Sequence, residues 1–153
     1  MADYKTIVVL EQDLTVDYIG GALDGIRDFY KDKNVKLIIT HTMLPGNEYL
    51  DHGYQHCTMM SILDNESVDG YIVLSGSYSS RLTMDELCNL LQPFSQKPIV
   101  SMSIPLNLDG ALNTSISCES GYMEVVDHLV NFHGCRKFAF IFCCVSYFAK
   151  ILI

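Results

Sequence analysis

The 153-residue chain sets 18 Asp and Glu against 10 Lys and Arg, a formal net charge of −8. That balance leaves no basic face for a phosphate backbone, so the chain is not expected to bind nucleic acid on its own. With 49% apolar and 18% charged residues it reads as globular, and its length suits one domain with one sizeable core.

The amino-terminal stretch is not a secretory signal, because the apolar run at 6–10 is short and Glu11 and Asp13 follow at once. The six cysteines then read as reduced thiols in a cytoplasmic protein, with no disulfides expected; Cys143 and Cys144 are adjacent, a poor geometry for mutual bridging.

In chain order, short β-branched runs alternate with helical patterns. A strand is predicted over 6–10. A helix follows over 16–30, capped by Asp13 or Thr15, with Val16, Ile19, Leu23, Ile26 and Tyr30 at helical spacing. A second strand covers 35–40. A second helix is expected over 48–63, entered through Pro45-Gly46-Asn47, with Leu50, Tyr54 and Cys57 inward. The third strand is 70–74. Thr83-Met84-Asp85-Glu86 is a capping box that opens a third helix, whose stripe is Met84, Leu87, Cys88 and Leu91, with Pro93 closing it. Strands at 99–103 and 112–116 come next. A fourth helix is expected over 119–133, with Tyr122, Val125, Val126, Leu129 and Val130 inward and Gly134 as its stop. One more strand is placed at 138–142.

Nearly continuous apolar strands fit a sheet covered on both faces. The predicted fold is α/β, a doubly wound parallel sheet forming a Rossmann-like three-layer sandwich in the order 2-1-3-4-5. The expected core includes Ile7, Val8, Val9, Ile38, Ile72, Val73, Ile99, Val100, Val126 and Leu129. Residues 138–153 are almost wholly apolar, with Ser146 and Lys150 the strong polar interruptions. The run is shorter than the roughly 20 residues a membrane span needs, so no membrane association is expected.

Phosphate-binding motifs are absent: no G-x-G-x-x-G follows the first strand and no G-x-x-x-x-G-K occurs. Gly20, Gly21 and Gly25 fall inside the first helix and read as close packing. His52, His56 and Cys57 share the second helix but lack the Glu of a zinc-protease motif, and His133 and Cys135 flank a helix-ending glycine. All are read as surface residues, and no metal or other cofactor is expected. Ser75-Gly76-Ser77-Tyr78-Ser79-Ser80 follows a strand as a nucleophile elbow would. It does not read G-x-S-x-G, and no helix is predicted to start directly after it. No catalytic residue is assigned.

What remains is a row of polar loops at the carboxyl ends of the strands, where open α/β sheets bind ligands. The candidate ligand-binding residues are Glu11, Gln12, Asp13, Ser75, Ser77, Tyr78, Ser103 and Glu119. Carboxylate, amide and hydroxyl groups without a strong base suit a neutral polar molecule such as a sugar or nucleoside.

Several spaced segments resemble one family. Val68-Asp69-Gly70-Tyr71-Ile72-Val73, Lys97-Pro98-Ile99-Val100-Ser101, the stretch 117–121, His128-Leu129-Val130 and the run 133–141 are together similar to the sensor domain of lac and galactose repressor-type regulators. The resemblance covers roughly residues 5–142 and rests on order and spacing. It implies the amino-terminal lobe of a periplasmic-binding-protein-like type I sensor over 1–136. Residues 137–153 would then be the first strand of a missing second lobe plus an apolar tail, as in a truncated reading frame.

Three departures stand out. The family's Asp-Asn falls on Ser117-Cys118, the repressors' amino-terminal helix-turn-helix is not seen, and the spacing around His133-Gly134 is closer to repressor-type sensors in front of signalling domains such as GGDEF cyclases or kinases. The expectation is a non-enzymatic, small-molecule-binding sensor lobe of a transcriptional or signalling regulator, with a homodimer as a candidate assembly. A doubly wound enzyme domain and an interaction module without a ligand are the alternatives. An uncovered apolar tail would make the chain self-associate.

Overall fold

The computed structural model describes residues 4–12, 17–41, 63, 67–79 and 82–139. They belong to two compact units, Met1–Thr114 and Ser115–Ile153, each described by itself.

The first unit is built on a parallel sheet of β1 (Lys5–Glu11), β2 (Val35–His41), β3 (Gly70–Val73), β4 (Ile99–Met102) and β5 (Leu112–Thr114). Their order is β2-β1-β3-β4-β5, as expected from the sequence. Every pairing is parallel, so all five carboxyl ends lie at one edge. α1 (Asp17–Tyr30), the single turn α2 (Ser75–Tyr78) and α3 (Met84–Leu91) are helices among the described residues, and a 3₁₀ turn at Gln92–Phe94 carries Pro93 past the end of α3.

Strand alternation splits the core into two layers. Val8, Leu10, Tyr71, Val73 and Ile99 face Leu87, Leu91 and Phe94, whereas Val9 and Leu74 face Ile19, Leu23 and Ile26 of α1. The expected stripes of both helices are the ones that pack, with Val16 outside the described residues. Val8, Val9, Val73 and Ile99 are buried as expected, but Ile7, Ile38, Ile72 and Val100 are only half-buried. Ile7, Ile72 and Val100 share the α1 face. A helix about 10 Å across covers roughly two strands spaced about 4.8 Å, and α1 is the described helix of this unit on that face.

Two close approaches tie the strand entries together. Asp69 accepts the Thr6 N–H at 2.8 Å and pairs with Lys5 at 2.9 Å. The Lys5 ammonium first, and the Thr6 amide second, hold its carboxyl below the usual range. A Cβ on Gly70 would meet the Pro98 carbonyl at 3.2 Å, so glycine suits this crossing point.

The second unit contains α4 (Glu119–Asp127), which runs into a π-helical turn at His128–Phe132. The helix therefore does not continue in regular α form to residue 133. Gly134 stops it with φ +66°, the left-handed conformation expected there. Val126, Leu129 and Val130 are half-buried, and Tyr122 and Val125 are exposed. The apolar stripe of α4 is thus not buried within its own unit, contrary to the sequence expectation.

Phe138 and Ala139, placed at the start of a strand by the sequence, have no regular structure. The remainder of that strand, the tail, residues 48–62 of the helix expected over 48–63 and the caps Asp13 and Thr15 lie outside the described residues. Among the described residues no helix is long and apolar enough to cross a membrane.

Candidate functional site

The register of the sheet builds the candidate site. β1 and β2 pair so that Glu11 stands beside His41, and the Glu11 carboxylate meets the imidazole Nδ1 at 3.1 Å. Glu11 is 0% exposed and His41 38%. Taking a carboxylate out of water costs several kcal/mol, which a partner within hydrogen-bond reach offsets. The contact is an ion pair when the imidazole is protonated.

Gln12 leaves the strand next. Its backbone N–H donates to Ser77 Oγ at 3.1 Å, and that hydroxyl donates to the Leu74 carbonyl at 2.7 Å. One serine therefore joins the end of β1 to the turn after β3. Gln12 is 6% exposed and its side-chain amide oxygen has no hydrogen-bond partner among the described residues. A buried acceptor left without a donor costs about 1–3 kcal/mol.

α2 begins directly after β3, where the sequence predicted a plain polar loop. This turn sorts the serines. Ser75 points inward and is fully buried. Its Oγ lies 2.7 Å from the Met102 carbonyl and 2.9 Å from Ser101 Oγ, and accepts the Ile104 N–H at 3.1 Å. Ser101 Oγ in turn donates to the Ile104 carbonyl at 2.6 Å. Each hydroxyl has one proton, so a consistent assignment sends Ser75 to Met102 and Ser101 to Ile104. The network pins the 102–104 turn to α2.

That pin holds Ser103 in an unusual place. It lies beyond β4, not within it as the sequence placed it, and has φ +85°. A Cβ on Gly76 would come within 2.9 Å of Ser103 Cβ, so the glycine makes room for the turn. Ser103 Oγ lies 2.6 Å from the hydroxyl of Tyr18, near the start of α1.

The edge thus brings together Glu11, Gln12, Ser77 and Ser103, with Ser75 beneath them as part of the framework. Tyr78 is 2% exposed and packs in the core below the edge. Glu119 is exposed at the first turn of α4 in the other unit, and Asp13 lies outside the described residues. Sequence reasoning missed Tyr18 as a member of this edge; it placed His41 among the polar loops there without assigning it a ligand contact. His41 follows from the register at the end of β2, whereas nothing local marks Tyr18.

Among the described residues no group of three or more His, Cys, Asp and Glu is placed to hold a metal. The chemistry present is hydrogen bonding by amide and hydroxyl groups beside one buried carboxylate.

A parallel open sheet with helices packed on both faces and polar groups gathered at its carboxyl edge defines a three-layer α/β fold. Crystal structures of a LacI family transcriptional regulator from Lactobacillus casei share this fold. The one with bound glucose matches with a TM-score of 0.53 at 18% identity, over 84% of this chain and 43% of that chain. The one with bound sucrose matches with a TM-score of 0.54 at 18% identity, over 84% of this chain and 42% of that one. At this identity the likeness is one of fold, and the chain spans less than half the length of these structures. No protein-family model matches the sequence, and no curated protein matches it.

Proposed function

We infer that this chain is a ligand-sensing lobe of the lac and galactose repressor type, supplying half of a cleft for a neutral polar molecule such as a sugar or nucleoside. The observation that carries this reading is Gln12. Its buried amide oxygen has no partner among the described residues, and it stands at the sheet edge between Glu11 and Ser77. A ligand hydroxyl is the kind of donor that would complete it. Gln12, Ser77 and Ser103 form the contact face, and Glu11 and Ser75 hold that face in shape. Tyr78 supports the edge from below.

Support also comes from the fold neighbours, which are regulators with glucose or sucrose bound. The reading is non-enzymatic, because among the described residues the edge offers binding groups and no nucleophile paired with a base. A net charge of −8 argues against nucleic-acid binding by this chain alone. The described thiols Cys88, Cys118 and Cys135 are free, in keeping with a cytoplasmic setting.

Calorimetric titration of the full chain with glucose, sucrose and adenosine tests the proposal. Half a cleft should bind one of them no tighter than about millimolar, near −4 kcal/mol, and Gln12→Ala should abolish that binding. No saturable binding of any of the three, or binding that Gln12→Ala leaves untouched, would overturn it.

A further inference from the structure

His128 and His133 stand five residues apart, a spacing that turns side chains away from each other on a regular α-helix, where neighbours are three or four apart. The chain departs from that geometry here. His128–Phe132 is a π-helical turn, and the His133 N–H donates to the His128 carbonyl at 3.3 Å. This wider closure brings His133 back over His128. The ring centroids are 4.8 Å apart at 78°, and the two Nε2 atoms face each other at 3.1 Å.

Phe132 braces both rings. It stacks on His128 at 5.1 Å and 12°, and meets His133 edge-on at 5.0 Å. Beyond it, Gly134 at φ +66° and a 2.9 Å bond from the Cys135 N–H to the Leu129 carbonyl close the turn. The pair is therefore held in place, and both histidines remain exposed.

Two ring nitrogens this close share either one proton or one cation. Imidazole binds zinc at about 2.0–2.1 Å. At that bond length an Nε2–Nε2 distance of 3.1 Å corresponds to an angle of about 98° at the metal, between the octahedral and tetrahedral values.

We propose that His128 and His133 form a two-imidazole chelate for a divalent late first-row metal ion, with Zn²⁺ as the representative and water completing its shell. Imidazole donors select this class over the oxygen-seeking alkaline-earth ions. No third His, Cys, Asp or Glu joins the pair among the described residues, so the site is open and exchanging, unlike the closed four-ligand sites of structural zinc. The net charge of −8 favours the approach of a cation. This departs from the sequence reading, which took His133 as a surface residue and gave His128 no ligand role.

Zinc chloride titrated into the full chain provides the test. One saturable equivalent is expected, and His128→Ala or His133→Ala should each weaken it about a hundredfold, the scale on which a second tethered contact multiplies affinity. A His52→Ala, His56→Ala double variant is the control and should leave that equivalent unchanged. The imidazole proton signals of His128 and His133 should also shift together in the unmodified chain, a readout independent of how any variant folds. Absence of saturable binding below about 1 mM, retention of the equivalent in both single variants, or its loss in the double variant would overturn the proposal.

Discussion

Ser75 is read most simply from sequence as one of several loop hydroxyls, yet it is fully buried, donates to the Met102 carbonyl and accepts the Ile104 N–H. Removing its oxygen leaves the Ile104 N–H without its acceptor and Met102 without its donor. Ser75→Ala should therefore destabilise the fold by about 1–3 kcal/mol, measured by urea denaturation. Loss of no more than a few tenths would show that the network is replaceable. Gly76 makes a second residue-scale test. Gly76→Ala places a methyl 2.9 Å from Ser103 Cβ, and Ser103 cannot retreat easily because its turn is tied to Ser75 and Ser101. A cost of about 1–3 kcal/mol is expected from overpacking. Adding Ser103→Gly should recover part of it, since glycine removes the opposing Cβ and accepts φ +85° without strain. The one-letter string Ser-Gly-Ser-Tyr-Ser does not say which serine points inward. That was decided by the helical turn and by which carbonyls needed donors.

At the scale of the element, α3 shows how far local sequence reaches. Thr83 Oγ accepts the Glu86 N–H at 3.2 Å, and Glu86 Oε2 accepts the Thr83 N–H at 2.8 Å, the reciprocal cap that the four residues announce. Thr83→Ala should cost about 1 kcal/mol. The Thr83 backbone amide first, and its hydroxyl second, hold the Glu86 carboxyl below its ordinary value. A carboxylate lowered in the folded state stabilises at pH above its unfolded pKa, and that stabilisation is lost as pH falls through the folded pKa. The stability difference between the parent and Glu86→Gln should therefore shrink as the medium becomes acidic, in denaturation series run from neutral to low pH. A difference independent of pH would mean that the carboxylate is not the stabilising form. The fourth helix shows the opposite limit. Its periodicity supported a regular helix to residue 133, but the contacts of Phe132 with both histidines and the bond from His133 to His128 widen the last turn.

For the molecule as a whole, thiol chemistry gives a readout of the core. Cys88 lies on the buried stripe of α3, and burial pushes its thiol up, with the Asn107 backbone bond opposing in part. Cys118 is exposed and Cys135 partly so. Alkylation at mildly alkaline pH, followed by peptide mass spectrometry, should label Cys118 first and Cys88 last, with Cys88 reacting fast only in denaturant. Labelling of native Cys88 as fast as Cys118 would contradict the packing of α3 on the sheet. The parallel sheet, its strand order and the polar character of its carboxyl edge were legible in the sequence, because unbroken apolar strands alternating with one-sided helices have few ways to bury both surfaces. Four features were not legible: the pairing of Glu11 with His41, the reach of Tyr18 to Ser103, the inward turn of Ser75 and the convergence of His128 with His133. Each depends on where a backbone places a polar group relative to a partner remote in sequence or brought close by a non-standard turn. Apolar burial follows from periodicity along the chain, whereas the satisfaction of buried polar groups is settled only when the strands are side by side.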